Sequence, residues 1–84
     1  MKRQERRRAF RAPWNRHATY RTEAGSGVCL ITDISTEGTR LHSADVIPEQ
    51  FTLLIQAGEL ESRQCRVVWR LGEEVGVQFE GRPP

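Results

Sequence analysis

The sequence has no apolar run long enough to cross a membrane as a helix. A transmembrane helix needs about 20 consecutive apolar residues, whereas hydrophobic residues make up 37% of this 84-residue chain and are interrupted by charge throughout. The basic N-terminus is not followed by an apolar segment, so we expect no secretory signal. These absences predict a soluble, cytoplasmic protein without membrane insertion.

Cysteine and histidine are scarce, and neither occurs in a metal-binding pattern. Cys29 and Cys65 lack CxxC spacing, and His17 and His42 form no HxxxH pair. We therefore expect no metal site, reduced and partly buried thiols, and surface imidazoles. A disulfide between the two cysteines is the less favoured alternative, because no signal directs the chain to an oxidising compartment.

No catalytic constellation stands out in the sequence. Ser35, His42 and Asp45 could be combined into a triad on paper, but no nucleophile elbow or oxyanion device accompanies them. The sequence therefore favours a protein that is not an enzyme.

Short β-rich segments separated by turn signals fill most of the chain. At 84 residues the chain holds one small domain, and helical periodicity is nearly absent. Turns every 8 to 12 residues or so are typical of a small antiparallel barrel or sandwich. We predict an all-β fold, a six-stranded antiparallel barrel over residues 16–81, preceded by a basic arm (residues 1–15) and followed by a short tail (residues 82–84). The predicted strands are residues 16–22, 28–34, 39–42, 51–56, 59–70 and 75–79.

Alternation along these strands predicts which side chains share a face. In the second strand it places Val28, Leu30 and Ile34 on one face and Cys29, Ile31, Asp33 and Ser35 on the other. Asp33 and Ser35 are therefore expected to point the same way. In the fourth strand Phe51, Leu53 and Ile55 are predicted to point inward. In the fifth, Cys65, Val67 and Trp69 share one face, and in the last strand Val75, Val77 and Phe79 alternate.

Charge is distributed unevenly along the chain. Residues 1–21 contain eight basic residues against Glu5, a balance of +7, and the remainder carries −5, which together give the net charge of +2. A local excess of this kind favours an anionic partner for the arm. A solvated basic tail is the ordinary alternative.

Two short motifs carry most of the functional signal. Arg7 and Arg11 form RxxxR, and residues 33–38 form DxSxxG with Asp33, Ser35 and Gly38. Guanidinium groups bind phosphates and guanine edges with paired donors, and a carboxylate can accept from the donor edge of guanine. Gly38 would allow a positive φ and a close backbone approach. The alternative is that Asp33 and Ser35 only satisfy backbone groups of a turn.

The two tryptophans are open to two interpretations. Trp69 is most simply a core residue, and Trp14 could pack the arm onto the barrel. Stacking on a nucleotide base is the functional alternative for either indole, so Trp69 is included among the candidate ligand residues.

The two motifs, in their order and spacing, resemble the PilZ domain family of bacterial receptors for cyclic di-GMP. The closing segments, residues 65–70 and 75–79, add to the likeness, which extends from about residue 6 to residue 80. The resemblance implies a split-barrel fold across which the arginine arm clamps the nucleotide. It implies that Arg7 and Arg11, with neighbouring Arg6 and Arg8, contact phosphates and guanine.

The resemblance also implies that Asp33 and Ser35 read a guanine while Gly38 permits its close approach. In this family the residue before RxxxR influences ligand stoichiometry, and Arg6 in that position favours an intercalated pair of cyclic di-GMP molecules. The expected function is a single-domain receptor whose arm becomes ordered on ligand binding and which signals to a separate output protein.

Two other functions remain open at the sequence level. One is a PilZ-like protein-interaction adaptor that binds no nucleotide. The other is a small nonspecific nucleic-acid-binding barrel, which is disfavoured because the chain beyond residue 21 is acidic and shows no row of exposed aromatic residues.

Overall fold

The computed structural model of the chain describes residues 12–80, and all regular structure in this range is β-strand. The six predicted strands are all present and each is somewhat longer than the sequence pattern predicted. The strands are β1 (Ala12–Thr22), β2 (Gly25–Ile34), β3 (Gly38–His42), β4 (Gln50–Ala57), β5 (Glu59–Leu71) and β6 (Glu74–Glu80).

The strands form a closed antiparallel barrel in the order β1-β2-β3-β6-β5-β4. The barrel closes where Thr19, Tyr20 and Arg21 of β1 pair with Leu54, Leu53 and Thr52 of β4. In an open sheet β1 and β4 would be edge strands, but closure pairs them with each other over this stretch. The predicted six-stranded antiparallel barrel is therefore confirmed.

The core lies inside this barrel and follows the alternation of β4 and β6. Side chains at every second position of β4 are buried, and so are Val75 and Val77 of β6. The loop between β3 and β4 adds Ile47, which is 1% exposed, to the same cluster. Sequence alternation could not identify Ile47, because a loop has no strand period. The buried hydrophobic residues are Ala18, Tyr20, Cys29, Ile31, Leu41, Ile47, Phe51, Leu53, Ile55, Cys65, Val75 and Val77.

Two β-bulges change the faces that alternation predicts. In the β2–β3 ladder the register shifts between Ile31 and Asp33, so that Thr32 is the additional residue. In the β5–β6 ladder it shifts between Val67 and Trp69. Since side chains alternate with period two, one extra residue transfers all that follows to the opposite face.

The bulge in β2 makes the predicted faces of that strand wrong beyond Thr32. Ile34 packs against the core instead of sharing the outer face with Val28, which is 62% exposed. Asp33 lies on the face opposite Ile31, because its partner Arg40 belongs to the outer side of β3. Ser35 lies beyond the end of β2, so strand alternation no longer governs its direction.

Candidate functional site

The turn between β2 and β3 is held by the side chain of Ser35. Its Oγ accepts hydrogen bonds from the backbone N–H groups of Glu37 and Gly38, at 3.1 and 3.3 Å, and donates to the carbonyl of Gly38. The backbone N–H of Ser35 also donates to the Gly38 carbonyl at 2.9 Å. The serine of DxSxxG thus shapes the turn, which is the structural role that the sequence left open.

Gly38 is required by a close backbone contact. A Cβ at this position would lie 2.1 Å from the carbonyl oxygen of Val77 in β6, far inside van der Waals contact. Its backbone does not adopt a positive φ, so the predicted conformational reason for this glycine is wrong. The glycine instead lets β3 begin against the backbone of β6.

Asp33 forms an ion pair with Arg40, directly opposite it on β3. Nε and Nη2 of Arg40 donate to Oδ2 of Asp33 at 3.0 and 2.6 Å. The Asp33 side chain is 9% exposed, whereas the Arg40 side chain is 42% exposed. The hydrogen bond to Asp33 raises the pKa of Arg40. The carboxylate is therefore buried against a fixed cation on the outer side of the barrel.

Trp69 is not a core residue, contrary to the prediction. It is 41% exposed and lies opposite Gly76 of β6, after the β5 bulge has moved it to the outer face. A Cβ on Gly76 would lie 2.1 Å from the indole Nε1, so the ring lies directly over the glycine backbone. The exposed part of the ring leaves base stacking physically possible.

These residues form one line across the outside of the barrel, which we call the outer row. Strand pairing places Asp33 opposite Arg40, Arg40 opposite Gly76, and Gly76 opposite Trp69. The row begins at β1, where Pro13 pairs with Asp33. A carboxylate on β2, a guanidinium on β3 and an indole on β5 thus lie in one line, with Gly76 of β6 between the last two.

The described chain begins next to this region, at the start of β1. Ala12, the residue after Arg11, pairs with Ile34, immediately before the Ser35–Gly38 turn. Arg6, Arg7, Arg8 and Arg11 themselves lie outside the described residues. The pairing of Ala12 fixes where the chain that follows RxxxR joins the barrel, and this point is adjacent to DxSxxG.

Sequence reasoning missed Arg40 and Gly76. A signal for Arg40 existed: counting outward from the turn pairs Ile34 with Thr39 and Asp33 with Arg40, an opposite-charge cross-strand pair. For Gly76 the signal was a glycine inside a strand, which often marks a close approach or a bulge.

Trp14 lies within β1 and packs against the core, with the guanidinium carbon of Arg16 5.1 Å from its ring centre.

The imidazoles of His17 and His42 are both exposed, as predicted. Nε2 of His42 lies 3.2 Å from a carboxylate oxygen of Glu73. Within residues 12–80 no group of three or more potential metal ligands occurs.

Both cysteines are free and buried in the core. Burial raises the pKa of the Cys29 thiol to about 11 and that of Cys65 to about 12. Thiols of this kind are poor nucleophiles near neutral pH. Both thiols are more deeply buried than the partial burial that the sequence predicted.

Over the described part of the chain, no helix has the length and apolar character needed to cross a membrane. A comparison with curated proteins gave no match. The family model of the PilZ domain matches residues 5–84, which include both motifs, the barrel and the outer row. The chain therefore belongs to the PilZ domain family, a family of receptors for cyclic di-GMP.

Proposed function

We propose that this protein is a cytoplasmic, non-enzymatic receptor that binds cyclic di-GMP between its arginine arm and the outer row. On binding, the arm becomes ordered over the barrel and changes the surface that is offered to a separate output protein. Contacts to phosphates and bases offset the entropy lost on ordering the arm.

The observation that carries the proposal is the pairing of Ala12 with Ile34 and of Pro13 with Asp33. The RxxxR segment precedes this point by a single residue. Extended chain advances about 3.3 Å per residue, so Arg7 and Arg11 span roughly 13 Å and can reach a ligand lying against the Ser35–Gly38 turn. Two cationic donors and one carboxylate then meet at one end of the barrel.

In this proposal each residue type has a distinct role. Arg7 and Arg11, supported by Arg6 and Arg8, bind the phosphates and the O6 and N7 edges of guanine. Asp33 accepts from the N1 and N2 edge of a guanine. Ser35 and Gly38 keep the turn compact, so that a base can approach its backbone, and Trp69 offers an exposed indole face for stacking.

Calorimetric titration of the full chain with cyclic di-GMP tests the proposal. We expect binding with a dissociation constant on the order of micromolar or tighter, corresponding to at least about 8 kcal/mol. Arg7→Ala and Arg11→Ala should each abolish the heat signal. The fitted stoichiometry reports whether one nucleotide or an intercalated pair is bound.

Arg21→Ala is the matched control, because Arg21 is an exposed arginine at the opposite end of β1, paired with Ser26 and Thr52. It should bind as the wild type does. Absence of heat with the wild type at high nucleotide concentration would refute the proposal, and would favour an adaptor that binds protein alone. Nonspecific binding of nucleic acid would instead weaken steeply between roughly 50 and 200 mM salt.

A further inference from the structure

The Asp33–Arg40 ion pair is formed by two donors and a single acceptor atom. Both donors of Arg40, Nε and Nη2, point to the same oxygen of Asp33. Two donors on one acceptor atom fix the rotation of the carboxylate about its Cβ–Cγ bond as well as its position. Arg40 therefore holds Oδ2 in place and restrains the plane of the Asp33 carboxylate.

The backbone under this pair is fixed by two further hydrogen bonds. Thr32, the bulge residue, donates from Oγ1 to the carbonyl of Arg40 at 3.2 Å. Thr39 donates from its buried hydroxyl to the carbonyl of Asp33. The backbone carbonyl groups of Asp33 and Arg40 thus each accept a hydrogen bond from a threonine hydroxyl. Neither residue can shift along its strand without breaking that hydrogen bond.

This arrangement stabilises one orientation of Asp33 before any ligand is present. A carboxylate on a side chain that is 9% exposed is costly to bury without a partner. The charge attraction between the exposed Arg40 guanidinium and Asp33 contributes little to the free energy of folding, because solvent screens such pairs. Because both Arg40 donors occupy Oδ2, what the pair supplies is a preset direction for Oδ1, the oxygen to which Arg40 donates no hydrogen bond.

Guanine differs from hypoxanthine by the amino group at C2. A carboxylate in the correct plane can accept from both N1–H and the C2 amino group, whereas a rotated carboxylate can align with one donor at most. Preference for guanine over hypoxanthine therefore depends on the orientation of the carboxylate, and overall affinity depends on it less.

Building on the proposed function, we infer that Arg40 is a positioning residue for guanine recognition, which acts by holding the Asp33 carboxylate in the plane that reads the C2 amino group. Arg40 does not itself need to touch the nucleotide. The preference of the receptor for a guanine base is then a property of the pair.

The test compares cyclic di-GMP with cyclic di-IMP, the same molecule without the C2 amino groups. Dissociation constants for both nucleotides are measured by calorimetry for the wild type, Arg40→Gln and Arg40→Lys. We expect the wild type to prefer cyclic di-GMP by about tenfold or more, the ratio that one charge-assisted hydrogen bond provides. In Arg40→Gln the ratio should fall to within about twofold of unity, with an intermediate ratio for Arg40→Lys, which keeps the charge without the planar fork.

Arg21→Gln is the control for the loss of one positive charge, and its ratio should equal that of the wild type. Thermal unfolding of each variant establishes that the barrel is intact; a general loss of structure would lower both affinities together and leave the ratio unchanged. A wild-type ratio in folded Arg40→Gln, or tighter binding of cyclic di-GMP by that variant, overturns this inference alone. Failure of the wild type to bind either nucleotide overturns it together with the proposed function.

Discussion

At the scale of single residues, DxSxxG is first a structural motif. Ser35 satisfies the backbone groups of the turn with its own hydroxyl, and Gly38 brings the start of β3 against the carbonyl of Val77. Phe79 adds a backbone hydrogen bond to Glu37 across the same contact. A turn that is rigid for these reasons gives a ligand a fixed surface, so the structural and the binding roles of the motif do not exclude each other.

Gly38→Ala should destabilise the barrel by roughly 1–3 kcal/mol, the usual cost of forcing a methyl group into a filled space. The physical reason is the 2.1 Å approach that the new Cβ would make to the Val77 carbonyl oxygen. Urea denaturation measures the change. Glu37→Ala, at an exposed position in the same turn, is the control and should change stability by less than about 0.5 kcal/mol. Equal effects of the two substitutions would contradict the steric explanation.

At the scale of elements, the bulges in β2 and β5 generate the outer row. The β2 bulge transfers Asp33 from the face of Ile31 to the face of Arg40, and the β5 bulge moves Trp69 outward over Gly76. Bulges are known to redirect side chains next to functional sites. In this barrel one bulge brings the carboxylate to the row and the other brings the indole.

The contact between Trp69 and Gly76 can be measured with a double-mutant cycle. Gly76→Ala should cost about 1 kcal/mol or more in the wild-type background, because its Cβ meets the indole, and should cost much less in a Trp69→Ala background. We expect a coupling energy of roughly 0.5–3 kcal/mol from urea denaturation.

Trp14 provides the matched control for this cycle, since it is an indole on β1 that packs against the core. In a Trp14→Phe background, Gly76→Ala should keep its full cost. A cost that is the same in all three backgrounds would show that the indole does not cover Gly76.

At the scale of the whole molecule, the barrel encloses two thiols that would be ionised more readily in water. Cys29 lies on β2 and Cys65 on β5, and both side chains point into the core. Their pKa values rise because burial disfavours the thiolate. The folded state therefore retains protons that the unfolded state loses in alkaline solution.

Stability should consequently fall as the pH rises. The unfolded thiols lose protons near their ordinary pKa of 9.0, while the folded thiols retain theirs until about 11 for Cys29 and 12 for Cys65. The contribution is fully present below pH 9.0 and decreases above it by at most about 1.4 kcal/mol per pH unit for each thiol. Urea denaturation between pH 8 and pH 11 measures this slope.

Cys65→Ala is the comparison variant, because it removes one titrating group. The packing that the variant loses lowers stability by an amount that does not depend on pH, so any change in slope reports the thiol. Its slope above pH 9 should be shallower than that of the wild type. Parallel curves would mean that the Cys65 thiol does not contribute to alkaline unfolding.

Much of the architecture could be predicted because its signals are local. The six strands and their turns followed from β-rich segments and glycine positions, and the burial of Phe51, Leu53 and Ile55 followed from alternation. Within the candidate site, Asp33, Ser35 and Gly38 were identified by spacing and by their likeness to the PilZ motifs. Arg40 could be paired with Asp33 by counting outward from the turn. Val77, which Gly38 contacts, lies on the distant strand β6, and no local pattern identifies that contact.

By itself, the sequence determined the all-β barrel, the membership of the PilZ family and the spacing of the residues that form the two motifs. Only the tertiary structure decided which face Asp33 and Trp69 occupy, that Gly38 is a packing glycine, and that Arg40 forms an ion pair with Asp33. The physical reason is that a bulge depends on the register of two paired strands. One inserted residue reverses every later face, and neither strand alone contains that information.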